Sequence, residues 1–293
     1  MRLVTNTGCL EETFGLEKTV EILAKAGFDG IDLSMCGMEK DDDYWSGDDW
    51  REKAEALKKA GEKWNIPFTQ AHAPFPSSRG KEATDAKILE RIKRSVEICE
   101  ILNIPYIIVH PKVHLHYIGH RKELYDMSVQ MYLDLVPFCE EKGVHVCIEN
   151  MYDYDSRRKI VTDSLCAQPE EFCQMIDEVG SRWIPACLDI GHAALVGVDP
   201  ADAIRALGRE RLQALHVHDV DYFHDCHTLP YMEDLDWDSI TAALGEIDYQ
   251  GDFTFEADTF LWKLPAPLRE EGVAFMAKTG RYLVGLVEAA RRK

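Results

Sequence analysis

Short apolar runs alternate with longer amphipathic segments along the whole chain, and this alternation restricts the fold more than any other feature. The candidate strands are RLVTNT (2–7), GIDLS (30–34), PFTQAH (67–72), YIIVH (106–110), VHVCIEN (144–150), PACLDIGH (185–192), LQALHVHD (212–219) and DFTFEA (252–257). Between them, apolar residues recur at three- and four-residue spacing, as in LEKTVEILAKAG from Leu16, AKILERIKRSVEICEIL from Ala86 and MSVQMYLDLVPFCEEKG from Met127. Gly27, Gly61, Gly143 and Gly180 precede strands and are expected to end helices. The segment VAFMAKTGRYLVGLVEAA supplies the last helix. Eight strand–helix units in 293 residues predict an α/β fold, a (β/α)8 (TIM) barrel, because single barrels commonly run to about 250 residues. No Pro/Gly/Ser linker or charge block divides the chain, so one domain over 1–293 is expected. A doubly wound sheet is the competing architecture, but no G-x-G-x-x-G follows a strand.

Chemistry in such a barrel sits at the C-terminal ends of the strands. Those ends carry His72, His110, Glu149-Asn150, Asp189 with His192, His216 with His218 and Asp219, and Glu256. Ionisable groups at six consecutive strand ends argue for a shared site, since a buried carboxylate costs several kcal/mol unless it is paired or metal-bound. Glu149, Asp189, His216 and Glu256 together offer three carboxylates and one imidazole. That donor set suits Mn²⁺, Mg²⁺ or Co²⁺ and tolerates Zn²⁺. The competing reading is an ion pair for each carboxylate, yet Lys112 is the nearest cation in sequence. His72 and His110 are expected to face the site, His145 to be structural, and His114, His116 and His120 to lie in a solvated loop.

Composition bounds the partners. A formal net charge of −19 disfavours nucleic acid. The basic runs Arg157-Arg158-Lys159 and Arg291-Arg292-Lys293 are expected to be solvated surface. Cys9, Cys36, Cys99, Cys139, Cys147, Cys166, Cys173, Cys187 and Cys226 are odd in number and form no C-x-x-C, which suits reduced thiols. No apolar run approaches a membrane span and the N-terminus lacks a signal-peptide core, so a soluble cytoplasmic protein is expected.

The motifs AHAPF (71–75), IVHP (108–111), IEN (148–150), LDIGHA (188–193), HVHD (216–219), DCH (225–227) and YQGDFTFEA (249–257) fall in order on successive units. In these the chain resembles the xylose isomerase-like barrel family, within its sugar phosphate isomerase/epimerase group. That group is similar to ketose 3-epimerases, inosose dehydratases and, further away, endonuclease IV. The resemblance implies a divalent metal, Mn²⁺ foremost, on Glu149, Asp189, His216 and Glu256. It implies that Glu149 and Glu256 act as acid and base on opposite faces of a sugar carbon, through a metal-stabilised enediolate. It places His72, His110, His192, His218, Asp225, His227 and Lys112 toward a small-molecule sugar substrate, and homodimers are common among similar proteins. Asp219 stands with His218 as a supporting or substrate residue, and His224 has no assigned role.

Departures from the family matter for the substrate. Ketose 3-epimerases of this kind carry an arginine shortly after the strand-seven histidine; here the sequence reads HVHDVDYFH. Glu233 in PYMEDLDW stands where relatives have glycine. No phosphate cradle is evident, and Lys112 and Arg79 are the cations available for an acidic group. The long loop 34–50 and the segment after His110 offer Tyr44, Trp45, Tyr117 and Trp262 as cavity walls or as packing. The Asp41–Asp43 run is expected to be solvated. Four readings follow: a metal-dependent sugar isomerase or epimerase, a lyase or dehydratase on a keto-sugar or inosose, an endonuclease IV-like zinc phosphodiesterase, and a non-catalytic metal- or sugar-binding barrel.

Overall fold

In the computed structural model, which describes residues 1–292, all eight expected strands form and pair in parallel. Lys293, the end of the second basic run, lies outside the described residues. The barrel strands are β1 (Leu3–Asn6), β2 (Gly30–Ser34), β3 (Phe68–His72), β4 (Tyr106–Ile108) and β5 (His145–Glu149). After a two-stranded insertion of β6 (Tyr152–Asp155) and β7 (Ile160–Asp163), they continue as β8 (Ala186–Asp189), β9 (Leu212–His216) and β10 (Phe253–Phe255). The sheet runs β10-β1-β2-β3-β4-β5-β8-β9. Val217, just past β9, closes it: its N–H donates to the Thr254 carbonyl (2.8 Å) and its carbonyl accepts from the Glu256 N–H (3.1 Å).

Strand periodicity sets the position of the polar ends. Side chains alternate between faces. Ile108, Cys147, Cys187 and Ala214 therefore form a small apolar layer inside the barrel, two residues below His110, Glu149, Asp189 and His216. Their neighbours Ile107, Val146, Ile148, Leu188 and Leu215 face outward into the main core against the helices. Across the barrel, the same interior level is polar: Gln70 Nε2 donates to Asp32 Oδ2 (3.3 Å), and Thr254 Oγ1 donates to Gln70 Oε1 (3.2 Å).

The helices bury apolar stripes, and three end as expected at left-handed glycines, Gly27, Gly143 and Gly180. Gly61 does not. It lies inside the helix Trp50–Trp64, where an added Cβ would come within 3.0 Å of the Ile66 carbonyl, and Asn65 takes the left-handed position instead. The β6–β7 hairpin was not expected. Its YDYD strand is only four residues long and half-exposed, and the hairpin carries Arg157-Arg158-Lys159 in exposed positions between its strands. All nine cysteines are free, and no described helix is long and apolar enough to cross a membrane.

Candidate active site

The C-terminal ends of β3, β4, β5 and β10 and the segments after β8 and β9 meet at a cavity of about 420 Å³. Asp189, His216 and His218 are fully buried and do not line it, so His218, expected toward the substrate, faces Asp189 instead. His72, His110, Glu149, His192, Asp225, His227 and Glu256 line it. A larger surface groove of about 1010 Å³, walled by residues such as Leu16 and Trp64, contains none of these groups.

One atom each from Glu149, Asp189, His216 and Glu256 lies within 4.8 Å of all the others. His216 Nδ1 is 3.1 Å from Glu256 Oε2 and 3.3 Å from Glu149 Oε1. Asp189 Oδ1 accepts the His192 N–H (2.7 Å) and faces His218 Nε2 (3.0 Å). Glu149, Asp189 and His216 are at most 1% exposed. Two further groups flank this one, His72 with His110 and Glu149, and His192 with His218, Asp225 and His227. The rings of His218 and His227 stack at 4.1 Å.

Among the described residues, every ion-pair partner of Glu149, Asp189, Asp225 and Glu256 is a histidine, never a lysine or arginine. Burial alone would raise the Glu149 carboxyl, but His110 and His216 hold it well below the usual carboxylate range. Glu256 goes the other way: burial pushes it up to about 7 against the pull of His216 and His227. His72 is pushed down to about 3 by burial, with His110 and His216 adding to the effect. For His192, burial opposes the charged form, yet Asp189 and Asp225 carry it up to about 10. Glu149 Oε2 has only His110 Nε2 beside it, at 3.1 Å, and Asp225 Oδ1 is buried without a hydrogen bond among the described residues. Converging carboxylates, no fixed cation and free buried lone pairs fit a divalent ion, and the oxygen-rich set with one imidazole could hold one.

The sequence also missed residues of this site. Asp32 on β2 is fully buried, 3.8 Å from His216 Nε2, and burial raises it to about 6. An acid inside the otherwise apolar GIDLS run was the available signal. Cys36 Sγ lies 2.9 Å from His72 Nδ1. From the hairpin, Tyr152 reaches across so that its hydroxyl donates to Asp225 Oδ2 (3.1 Å).

Other expectations are corrected. Asp219 does not face the cavity; it is buried and accepts N–H groups from Tyr231, Leu235 and the Trp237 indole, among others, which ties down the loop after β9. Lys112 is half-buried and does not line the cavity, while Arg79 pairs with Glu39 at the surface. Trp45 is core, and Tyr117 is buried with its hydroxyl on Glu171. Neither they nor Tyr44 and Trp262 line the cavity, so packing is the reading that holds. His224 is exposed and paired with Asp221.

Comparisons with known proteins agree with this architecture. The uncharacterized protein y4fM of Sinorhizobium fredii (strain NBRC 101917 / NGR234) is 22% identical over 171 residues, 57% of this chain. The match spans 52% of that protein, about half its length. A crystal structure of D-psicose 3-epimerase in the presence of D-fructose superposes with a TM-score of 0.75 at 17% identity, covering 97% of this chain and 100% of that one. The IOLI protein with a binding zinc atom gives 0.72 at 19% identity, covering 99% of each chain. Both likenesses concern the fold. A family model described as Xylose isomerase-like TIM barrel matches residues 20–279. With nearly the whole barrel inside that match, the chain belongs to the xylose isomerase-like TIM barrel family.

Proposed function

We propose that this protein is a divalent-metal-dependent isomerase or epimerase of a keto-sugar or a sugar-like polyol ketone. The observation that carries the reading is the convergence of Glu149, Asp189, His216 and Glu256 within 4.8 Å, with histidines as the only ionic partners among the described residues. These four would hold the ion, with Mn²⁺ favoured by the oxygen-rich set. When bound, the ion supplies the electrophile that makes a C–H beside a carbonyl acidic enough for a carboxylate to remove its proton.

The chain's own residues divide the proton work. Glu149, held ionised by His110 and His216, is the group that takes the proton. Glu256, just past β10, is the second carboxylate of the set and returns a proton at the opposite face. His192, whose Nε2 lies 3.8 Å from Asp225, is the imidazole placed to donate to a substrate oxygen, while His227 spends both ring nitrogens on the Glu256 carbonyl and on Asp225, at 3.0 Å each. Glu149→Gln should abolish solvent-deuterium exchange into a bound keto-sugar while the fold stays intact. Exchange that survives this substitution removes the mechanism.

A second reading rests on the two flanking groups, His72–His110–Glu149 and His192–His218–Asp225–His227. Together with the central set they supply ligands for up to three ions, as a zinc phosphodiesterase would need. The net charge of −19 and the absence of Lys and Arg from the cavity lining oppose a nucleic-acid substrate. Metal analysis separates the two: about one Mn²⁺ supports the isomerase, and three tightly held Zn²⁺ the phosphodiesterase.

A further inference from the structure

The two ring nitrogens of His216 have opposite surroundings. Nδ1 faces the ligand set, 3.1 Å from Glu256 Oε2 and 3.3 Å from Glu149 Oε1. For Nε2 the ionic partner among the described residues is Asp32 on β2, with Oδ2 3.8 Å away. Neither Nε2 nor Asp32 Oδ1 has a hydrogen bond among the described residues, and both side chains are fully buried. Neighbouring imidazoles are anchored differently. His72, His192 and His227 each bring Nδ1 to within 3.0 Å of a backbone carbonyl, those of Ala73, Asn150 and Glu256. A ring whose one nitrogen donates to a fixed oxygen keeps both its orientation and its tautomer. His216 has no such carbonyl among the described residues, and Asp32 stands in that place.

Asp32 is itself held from below. Gln70 on β3 donates to its Oδ2 (3.3 Å), and the same amide nitrogen lies 3.4 Å from the Leu215 carbonyl, in the residue before His216. Gln70 Oε1 accepts the Thr254 hydroxyl (3.2 Å) from β10. Three strands thus orient the Gln70 amide, and its N–H₂ end is the one turned to Asp32. No Lys or Arg pairs with this carboxylate among the described residues, and a buried charge without a partner costs several kcal/mol. Packing alone gives no reason for an acid here. A metal-bound imidazole does, because its second N–H is regularly taken up by a carboxylate. A movement of about 1 Å carries the 3.8 Å separation into the ordinary hydrogen-bond range.

We propose that Asp32 is a positioning residue for the metal set: it takes the Nε2–H of His216 and so presents Nδ1 to the ion. This rests on the metal reading of Glu149, Asp189, His216 and Glu256, and the test separates the two. Mn²⁺ is titrated calorimetrically into the metal-free protein and into Asp32→Asn and Asp32→Leu. Asp32→Leu, of similar size but with no acceptor, should weaken binding by about 10- to 100-fold. Asp32→Asn keeps an oxygen for the ring without the charge and should weaken it by at least about fivefold. A residue that only packed the barrel would lower Tm with and without metal and leave the Kd of the folded protein unmoved. In the Zn²⁺-loaded protein, the His216 Nε2 proton should give a downfield, slowly exchanging NMR resonance that moves upfield in Asp32→Asn. Should Asp32→Leu fail to fold, Asp32→Asn carries both readouts. A Kd within about twofold of the unmodified protein in either folded variant, or an unmoved Nε2 proton, overturns the role of Asp32 and leaves the metal set standing. No binding of Mn²⁺ by the unmodified protein overturns both.

Discussion

Asn150 and Asp189 hold each other in both directions: the Asn150 amide donates to the Asp189 carbonyl (2.9 Å), and the Asp189 N–H donates to the Asn150 side-chain oxygen (2.7 Å). The clamp joins the residue after β5 to the last residue of β8, so the Asp189 carboxylate is aimed by a neighbouring strand. Asn150 is 1% exposed, so both hydrogen bonds are shielded from bulk water. Asn150→Ala orphans two buried backbone groups and should cost about 3 kcal/mol in denaturant unfolding. It should also weaken Mn²⁺ binding about tenfold or more, read by titration with the metal.

Gly191 leaves its space to a histidine. A Cβ there would lie 2.1 Å from His218 Cε1, and His218 is fully buried against Asp189. Gly191→Ala should push the imidazole away and lower metal affinity by about 10- to 100-fold, the range for loss of a ligand-orienting hydrogen bond. Unchanged affinity would show that His218 does not orient Asp189.

Asp219 should prove structural. Its carboxylate gathers the N–H groups of Val220, Tyr231, Glu233 and Leu235 and the Trp237 indole, and so frames the loop that carries Asp225 and His227. Asp219→Ala should destabilise the protein by about 3 kcal/mol. Amide exchange should speed up across 220–237 before other segments are affected.

Glu11 gives a pH test away from the strand ends. Burial raises its carboxyl from 4.5 to about 8, outweighing a 2.7 Å hydrogen bond from the Thr7 hydroxyl. Between those values the folded chain keeps a proton that the unfolded chain releases, so this group's contribution falls as pH rises from 4.5 to 8. Glu11→Gln should flatten that decline and gain at least about 1 kcal/mol on the unmodified protein at pH 8 relative to pH 5. Parallel stability curves for the two proteins would exclude the titration.

Metal should also report on folding. An ion that binds only the folded state stabilises it by about 2.7 kcal/mol at a hundredfold excess over Kd. Chelation should therefore lower Tm, and Mn²⁺ should restore it. Asp189→Asn should abolish that restoration, as should Glu256→Gln.

Periodicity alone determined the eight strands, the barrel and the polar strand ends, because a strand's alternation and a helix's stripe are written locally in residue order. It also named Glu149, Asp189, His216 and Glu256, since an ionisable residue closing an apolar strand is visible without coordinates. Only the tertiary structure decided which polar residues share a space. Asp32 joins the site because β2 curves its side chain inward beside Gln70 and His216, and Asp219 leaves it because a returning loop takes up its oxygens. Trp45 and Tyr117 stood in the sequence as cavity walls or as packing, and burial decides for packing. Tyr152 enters through a hairpin whose four-residue YDYD strand is too short for its alternation to stand out in the sequence. Strand ends are fixed by local sequence; what faces them is set by contacts between residues far apart in the chain, and no local period encodes those.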